Sequence, residues 1–364
     1  MDLIIVHPNF VLKGGAELVI TKIAERFHPV IYTYAWKREN SWEALKECDV
    51  RVIKPLQMDS LFMLRAGYGY YQMKIKEDYD VINAHFPPSQ FIRQNNSRVL
   101  WYCHSPGRAA YDLYRERMRE YSPLVKAGHY FFTKLYRKIN QGVVSDIECV
   151  LANSKNTQNA LLHYLHKQST VLNPAVDPDD FKNEGYEKYF FYPGRITPSK
   201  RIEYVIAAYR LFKQRNPQSP FRLIVAGGLQ DKDHLYLEQM KRLHGDIRRD
   251  VPEHEFKQLY AQCTAVFFSG LNEDFGIVPL EAMACEKPII SVNEGGPRES
   301  VLDGKTGFLV NSVEEMAAKM EWVANNPSLV EKMGKAGRKH VIANYSWKHF
   351  LGKFEKHAKD VAKR

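Results

Sequence analysis

The chain has 364 residues, 45% of them hydrophobic and 26% charged, with a net charge of +10, and this length predicts two domains rather than one. Its five cysteines are widely spaced without a C-x-x-C pair, which argues against a disulfide framework or a structural zinc site and indicates a reducing compartment. No uncharged apolar stretch reaches the length of a membrane span, and no basic segment precedes the N-terminal apolar run, so we expect a cytoplasmic protein without a signal peptide.

Apolar runs and helical segments alternate along the chain in two successive series. The first series has apolar runs at residues 3–7, 30–34, 50–53, 81–84, 99–103 and 149–152, and the second at 189–193, 222–226, 265–269, 288–292 and 307–310. Such runs predict parallel strands with helical crossovers, and therefore two doubly wound, Rossmann-like α/β domains. A joint rich in Pro, Asp and Asn predicts domains of residues 1–170 and 171–345, followed by a helix over 346–364.

Ligands of open parallel sheets bind beyond the carboxyl ends of the strands, so with two such domains we expect the site in a cleft between them. Gly14 and Gly15 follow the first strand and open the first helix. They allow a ligand to approach the backbone closely, and a helix N-terminus attracts an anion. A plain strand-to-helix turn is the alternative. The G-x-G-x-x-G fingerprint is absent there, which removes the main support for an NAD-binding protein.

Two cations flank the next strand-to-helix junction of interest. Arg195 follows a strand, and Lys200 precedes a helix. Held at one sheet edge, a guanidinium and an ammonium would neutralise a diphosphate without a metal. The alternative is that both are solvated surface side chains.

A pair of acidic residues brackets a third junction. Glu273 and Glu281 enclose a Phe-Gly insert, and Pro279 suits the first turn of a helix that would contain Glu281. Carboxylates accept hydrogen bonds from hydroxyls while the loop amides donate to oxygens, a combination that suits a ligand with both hydroxyls and a phosphate. The alternative is a helix-capping Glu beside a surface Glu.

His104 ends the strand at residues 99–103, where a side chain faces the ligand edge rather than a core, although a lone histidine is more often structural. Three carboxylate pairs, Asp78/Asp80, Asp177/Asp179 and Asp231/Asp233, have a spacing that could hold Mg²⁺. We interpret them as solvated turn residues, and we expect no metal site.

Together these motifs resemble the retaining glycosyltransferases of family 4, also called glycosyl transferases group 1, which have the GT-B fold. The resemblance is strongest over residues 186–346. The matching elements are Gly194-Arg195…Lys200, Ala226-Gly227-Gly228, Glu273-(seven residues)-Glu281, Asn293-Glu294-Gly295-Gly296-Pro297 and, in the first half, Gly14-Gly15-Ala16-Glu17 and Cys103-His104-Ser105-Pro106.

The resemblance implies a role for each matching residue. Arg195 and Lys200 would bind the diphosphate of a nucleotide sugar, and Glu281 would bind its ribose. Glu273 would hold the transferred sugar, and His104 would lie near that sugar. The remaining positions would contribute backbone to the donor site: Gly14, Gly15, Gly227, Gly228, Asp274, Phe275 and Gly276. The family also implies retention of anomeric configuration, independence of metals and cofactors, and a C-terminal helix that returns to the first domain.

The identity of the substrates is less well encoded. The stretch Cys103-His104-Ser105-Pro106-Gly107-Arg108 resembles mannosyltransferases that act on lipid-linked glycans, which favours GDP-mannose over a UDP-sugar, and a glycan or polyprenyl- or other lipid-linked acceptor. Residues 108–142 carry eight basic and three acidic side chains interleaved with aromatics. This pattern fits peripheral docking on an anionic membrane, on the inner face of the cell membrane. A helical pair with inward-packed aromatics is the alternative.

Two other functions remain open at this point. A nucleotide-sugar epimerase would use the same fold but would turn over its donor without an acceptor. A basic nucleic-acid-binding protein would account for the net charge, but the sequence lacks RRM, KH and zinc-finger signatures, so we expect no nucleic-acid partner.

Overall fold

The computed structural model describes residues 1–59, 61–115, 118, 122–230 and 233–364. These residues form two compact units. Unit 1 comprises Met1–Pro174 with Lys348–Arg364, and unit 2 comprises Ala175–Trp347. Each unit is built on a parallel sheet with helical crossovers, which confirms the predicted α/β fold class. The unit boundaries lie a few residues beyond the expected positions 170 and 345.

The strands of unit 1 are β1 (Leu3–Val6), β2 (Asn9–Phe10), β3 (Val30–Thr33), β4 (Ala35–Trp36), β5 (Asp49–Val52), β6 (Val81–His85), β7 (Val99–Cys103), β8 (Cys149–Ala152) and β9 (Thr170–Val171). Among its described residues, unit 1 has a main sheet of seven strands in the order β5-β3-β1-β6-β7-β8-β9, while β2 and β4 pair separately. Its helices before the junction are α1 (Gly15–Phe27), α2 (Glu43–Lys46), α3 (Phe62–Gln72), α4 (Pro123–Ser145) and α5 (Lys155–Leu165).

Unit 2 has six strands among its described residues: β10 (Tyr189–Pro193), β11 (Arg222–Gly227), β12 (Ile247–Arg249), β13 (Ala265–Phe268), β14 (Ile289–Val292) and β15 (Gly307–Val310). Their order in the sheet is β12-β11-β10-β13-β14-β15. The helices of unit 2 are α6 (Ile202–Arg215), α7 (His234–Leu243), α8 (Glu253–Gln262), α9 (Val278–Ala284), α10 (Pro297–Ser300), α11 (Val313–Asn325) and α12 (Pro327–Asn344). Helix α13 (Trp347–Ala362) follows, and from Lys348 onward it belongs to unit 1.

The apolar strands serve two cores at once because successive side chains point to opposite faces of a sheet. In β10, Phe190 and Tyr192 pack into one core of unit 2, whereas Tyr189 and Phe191 pack into the other. Helix α6 covers the first of these cores with Ile202, Val205, Ile206 and Phe212, spaced along one helical face.

Helix α13 packs on unit 1 through an apolar face. Phe350, Phe354, Ala358 and Val361 are buried at helical spacing. The ring of Phe350 lies 5.6 Å from that of Tyr102. The described residues contain no helix both long and apolar enough to span a membrane.

We predict that Phe354→Ala lowers the free energy of unfolding of unit 1 by about 3–5 kcal/mol, the cost of removing a buried phenyl ring. The ring is buried and lies 5.9 Å from that of Phe27. Urea unfolding followed by circular dichroism measures the change. The exposed neighbour Lys353 provides the control, since Lys353→Ala is expected to change stability by no more than about 0.5 kcal/mol. Equal stabilities of the two variants would contradict the prediction.

Candidate active site

The loop after β10 is set by a contact between two glycine backbones. A Cβ on Gly227 would lie 1.8 Å from the carbonyl oxygen of Gly194, so no other residue fits there. Hydrogen bonds fix the approach, from Gly194 N–H to Ala226 O (3.0 Å) and from Ile196 N–H to Gly228 O (2.9 Å). Gly194 has φ of +146°, a conformation that favours glycine.

The other end of this loop is tied to the loops after β13 and β14. The Arg201 guanidinium donates to the Ser269 carbonyl at 2.8 Å and to both carboxylate oxygens of Glu294. The Ser269 hydroxyl lies 2.9 Å from the Lys200 carbonyl, which also accepts from the Tyr192 hydroxyl. Sequence reasoning missed Arg201, Ser269 and Tyr192. Glu294 lies in the Asn-Glu-Gly-Gly-Pro motif, and membership of that motif was the only feature of the sequence that pointed to Glu294 as a site residue.

This arrangement brings two of the predicted site residues into contact. The Lys200 ammonium lies 2.6 Å from Glu273 Oε2 and 5.2 Å from the centre of the Phe268 ring. The two charged side chains are only 13% and 22% exposed. The ion pair is therefore shielded from water on most sides, where electrostatic attraction is stronger than at an exposed surface.

The backbone of the Glu273–Gly276 loop is pressed against the loop after β14. A Cβ on Gly296 would lie 2.3 Å from Phe275 Cα, and the Gly296 N–H donates to the Glu273 carbonyl at 2.8 Å. Gly276 has φ of +79°, Phe275 is buried, and Asp274 is half-buried. The chain path through these positions therefore depends on glycines at both loops.

Glu281 lies in the first turn of α9, two residues after Pro279, as the sequence pattern indicates. Its carboxylate accepts a hydrogen bond from the Tyr260 hydroxyl at 2.6 Å. Burial raises the pKa of Glu281, while the Tyr260 hydrogen bond and the Lys200 charge lower it. Arg195, at the end of β10, is exposed, and the described residues give it no ion pair.

In unit 1, three histidines lie at the carboxyl ends of adjacent strands. His7 follows β1, His85 ends β6 and His104 follows β7. Nδ1 of His85 is 3.0 Å from Nε2 of His104, and Nδ1 of His7 is 3.3 Å from the His85 carbonyl. Burial, helped by the charge of His7, lowers the pKa of His104 to about 3. The sequence singled out His104, but the order of strands that groups the three histidines is not encoded locally.

Gly14 and Gly15 begin α1 at the same edge. Gly14 is the N-cap, with extended backbone, and a Cβ there would meet Glu17 Oε2 at 2.6 Å. A Cβ on Gly15 would meet nothing within 4 Å. The other carboxylate oxygen of Glu17 is 3.3 Å from His7 Nε2, which connects this helix start to the histidine cluster.

Across the described part of the chain, no group of three or more His, Cys, Asp or Glu side chains is arranged to hold a metal ion. Asp231, one of the alternative ligands, lies outside the described residues. Its partner Asp233 is buried.

Known proteins match this chain over nearly its whole length. A family model described as Glycosyltransferase Family 4 matches residues 14–180, and one described as Glycosyl transferases group 1 matches residues 176–340. The alpha-1,3/1,6-mannosyltransferase ALG2 of Dictyostelium discoideum is 26% identical over 96% of both chains. Mouse ALG2 is 27% identical over 74% of this chain and 71% of its own.

Solved structures share the fold. Anabaena HepE in complex with UDP-glucose has a TM-score of 0.77 at 16% identity, covering 99% of this chain and all of its own. Sucrose-phosphate synthase from Thermosynechococcus elongatus has a TM-score of 0.73 at 18% identity, covering 99% of both chains. The two family models identify the chain as a glycosyltransferase, and the solved structures show that it has the GT-B fold. It belongs to the family-4 glycosyltransferases, with a group 1 domain as its second half, which confirms the resemblance read from its motifs.

The low pKa of His104 makes the stability of unit 1 depend on pH. Because the folded state holds His104 neutral while the unfolded chain binds a proton below about pH 6.5, the free energy of unfolding falls as the pH decreases toward 3. We predict that His104→Asn removes up to about 1.4 kcal/mol per pH unit of this slope below pH 6.

Urea unfolding at a series of pH values measures the slope for the wild type and the variant. His254→Asn, at an exposed position of α8, controls for the loss of a histidine as such. Parallel pH dependences for the wild type and His104→Asn would show that His104 is not held neutral.

Proposed function

We propose that the protein is a metal-independent, retaining hexosyltransferase that takes mannose from GDP-mannose and transfers it to a glycan or lipid-linked acceptor. The observation that carries the proposal is the shielded Lys200–Glu273 pair, whose lysine shares the loop after β10 with an exposed Arg195. The names of the ALG2 relatives, alpha-1,3/1,6-mannosyltransferases, support mannose. HepE in complex with UDP-glucose supports a nucleotide-sugar donor and keeps a UDP-sugar as the alternative.

Arg195 and Lys200 bind the donor diphosphate in this proposal. Arg195 is exposed and presents a planar fork of N–H donors, the geometry that pairs with phosphate oxygens. Lys200 is held by Glu273 and by the Phe268 ring, so its ammonium is already in place when the ligand arrives. Together the two cations supply the charge that a divalent metal ion would otherwise provide.

The carboxylates bind hydroxyl groups of the donor. Glu281 accepts from the ribose, and Tyr260 holds that carboxylate at 2.6 Å. Glu273 accepts from the transferred sugar, next to the backbone of Asp274, Phe275 and Gly276. These loop positions are fixed by the close contact with Gly295 and Gly296, so the donor meets preorganised groups.

The glycine positions contribute backbone. Gly227 ends β11, and its missing side chain admits the Gly194 backbone. A Cβ on the next residue, Gly228, would meet nothing within 4 Å, which leaves room there for the donor. Gly14 and Gly15 offer the N-terminus of α1 to the diphosphate, since a helix N-terminus has unpaired N–H groups. His104 contacts the transferred sugar.

The reaction follows from the charges. The bond between the sugar C1 and the diphosphate oxygen breaks, and its electron pair goes to that oxygen, where Arg195 and Lys200 stabilise the developing charge. The acceptor hydroxyl oxygen forms the new bond to C1 from the same face, and its proton passes to the departing phosphate oxygen. His104, with a pKa of about 3, is too weak a base to take this proton at neutral pH.

We expect Arg195→Ala to lower the transfer rate by about 10²- to 10³-fold, the cost of losing one hydrogen-bond donor to the charge of the leaving group. The assay measures transfer from labelled GDP-mannose to extracted membrane lipids in excess EDTA. Arg222→Ala is the matched control, because Arg222 is an exposed arginine at the start of β11, at the opposite end of the strands.

Wild-type activity in Arg195→Ala would remove this residue from the site. Loss of all activity in EDTA, restored by Mg²⁺, would refute metal independence. Turnover of the donor without any acceptor lipid would favour the epimerase.

A membrane surface is the second part of the proposal. Helix α4 exposes Phe131 and Phe132, 66% and 57% exposed, together with Tyr130, Val125 and Leu135. Its aromatics therefore do not all pack inward, although Tyr111 is buried and Tyr136 half-buried. Arg117, Arg119 and Tyr121, which the sequence also indicated, lie outside the described residues.

Basic side chains accompany the exposed rings. Lys134 and Lys138 are exposed on α4, and Lys126 is half-buried. Apolar groups next to cations suit the interface of an anionic bilayer, where each lysine contributes about 1 kcal/mol. We propose that α4 docks on the cytoplasmic leaflet, where a polyprenyl- or lipid-linked acceptor is presented.

Co-sedimentation with phosphatidylglycerol-containing vesicles tests the docking. We expect binding that added salt weakens and that the triple variant Lys126→Glu, Lys134→Glu, Lys138→Glu abolishes. The control variant carries three Lys→Glu substitutions at exposed positions of unit 2, Lys305, Lys332 and Lys339. It changes the net charge by the same amount and should leave binding intact. Equal loss in both variants, or no binding at low salt, would show that α4 is not a docking surface.

A further inference from the structure

A hydrogen-bonded chain of side chains leads through unit 1 to His104. Asn83 Nδ2 donates to the Leu100 carbonyl at 3.1 Å, and Asn83 Oδ1 is 2.6 Å from His85 Nε2. His85 Nδ1 is 3.0 Å from His104 Nε2. Asn83 and His85 are completely buried, whereas His104 is 8% exposed. The chain therefore reaches ligands only through His104.

The direction of each hydrogen bond follows from its neighbour. The Leu100 carbonyl can only accept, which orients the Asn83 amide with its oxygen toward His85. An amide oxygen also only accepts, so Nε2 of His85 carries the proton. In a neutral imidazole the other nitrogen is then bare. His85 Nδ1 therefore accepts from His104 Nε2–H.

Both rings are held neutral by their surroundings. Burial lowers the pKa of His85 well below its ordinary value, and the neighbouring imidazoles of His104 and His7 lower it further because a second positive charge would be repelled there. Burial likewise lowers the pKa of His104. The acidic group at this cluster, Glu17, faces His7 and not the other two rings. A neutral His104 with its proton on Nε2 has a bare Nδ1.

Among the described residues, none donates a hydrogen bond to Nδ1 of His104. We propose that Asn83 and His85 are positioning residues that fix His104 in its Nε2–H tautomer, so that Nδ1 accepts a hydrogen bond from a hydroxyl of the transferred sugar. This rests on the proposed function, which puts that sugar at His104. The acceptor-only nitrogen suits a neutral hexose and disfavours a carboxylate oxygen at the same position, as in a hexuronate.

Nuclear magnetic resonance of the wild-type protein with ¹⁵N-labelled histidines tests the tautomer of His104. Long-range ¹H–¹⁵N correlation spectra distinguish the two neutral tautomers, and His104→Gln identifies the His104 signals. We expect a protonated Nε2 and a bare Nδ1. A protonated Nδ1 in the free protein would overturn the proposal, and this result needs neither substrate nor activity.

The same spectra, recorded after a nucleotide is added, test the hydrogen bond between the sugar and Nδ1 of His104. We expect GDP-mannose to shift the His104 Nδ1 resonance upfield, as acceptance of a hydrogen bond does, and GDP to leave it in place. An unchanged resonance with bound GDP-mannose would overturn the sugar contact. If neither nucleotide binds, the proposed function fails together with the sugar contact, whereas the tautomer assignment stands or falls on the spectrum of the free protein.

Asn83→Asp tests the positioning role. A buried carboxylate at this position favours a protonated His85, whose two N–H groups then both donate, so His104 must accept at Nε2 and carry its proton on Nδ1. The sugar hydroxyl must then accept instead of donating, and we expect affinity for GDP-mannose to fall about 3- to 10-fold, with affinity for GDP unchanged.

Asn140→Asp is the matched control. Asn140 is also completely buried in unit 1, but its amide contacts Gln90 and Tyr111 rather than the histidines. The Asn140→Asp variant should keep the wild-type tautomer of His104 and the wild-type affinities for GDP-mannose and GDP. A folded Asn83→Asp protein with the wild-type tautomer would show that Asn83 does not position His104.

Discussion

Unit 2 depends on one steric constraint, the backbone contact between Gly194 and Gly227. Because no Cβ fits between them, the loop after β10 turns closely over the end of the sheet and delivers Lys200 and Arg201 to the loop after β13. Arg201 and Ser269 then fix the backbone, which leaves the Lys200 side chain to pair with Glu273. The Lys200–Glu273 pair is thus positioned by the glycine packing, by hydrogen bonds to the backbone and by the Arg201–Glu294 ion pair.

The sequence predicted the elements of this arrangement better than their connections. Alternating apolar runs indicated both sheets, and Pro279 indicated the helix that contains Glu281. The Lys200–Glu273 pair could not be predicted, because it joins loops 73 residues apart whose adjacency depends on β10 and β13 being neighbours in the sheet. The contacts of Arg201 with Ser269 and Glu294 depend on the same strand order, so no local pattern around Arg201 indicates them.

In unit 1 the hydrogen bonds that join Asn83, His85 and His104 could not be predicted either, because they too depend on which strands are neighbours. The sequence placed His104 at a strand end, but Asn83 and His85 belong to another strand, and their alternation in β6 resembles an ordinary polar interruption. Complete burial of Asn83 and His85 removes water as a competing partner, so their hydrogen bonds run to neighbouring groups of the protein. The strand order β1-β6-β7, rather than any local pattern, brings Asn83, His85 and His104 into one chain of hydrogen bonds.

The return of α13 to unit 1 has a consequence for how the chain folds during synthesis. The apolar surface around Phe27 and Tyr102 is covered by Phe354 and Phe350, which leave the ribosome only after all of unit 2. Domains generally fold as they emerge, at about 5–20 residues per second, so unit 2 can complete its core first although unit 1 is made earlier. For many seconds unit 1 presents an uncovered aromatic patch, which makes this interval the one in which a chaperone has most to protect.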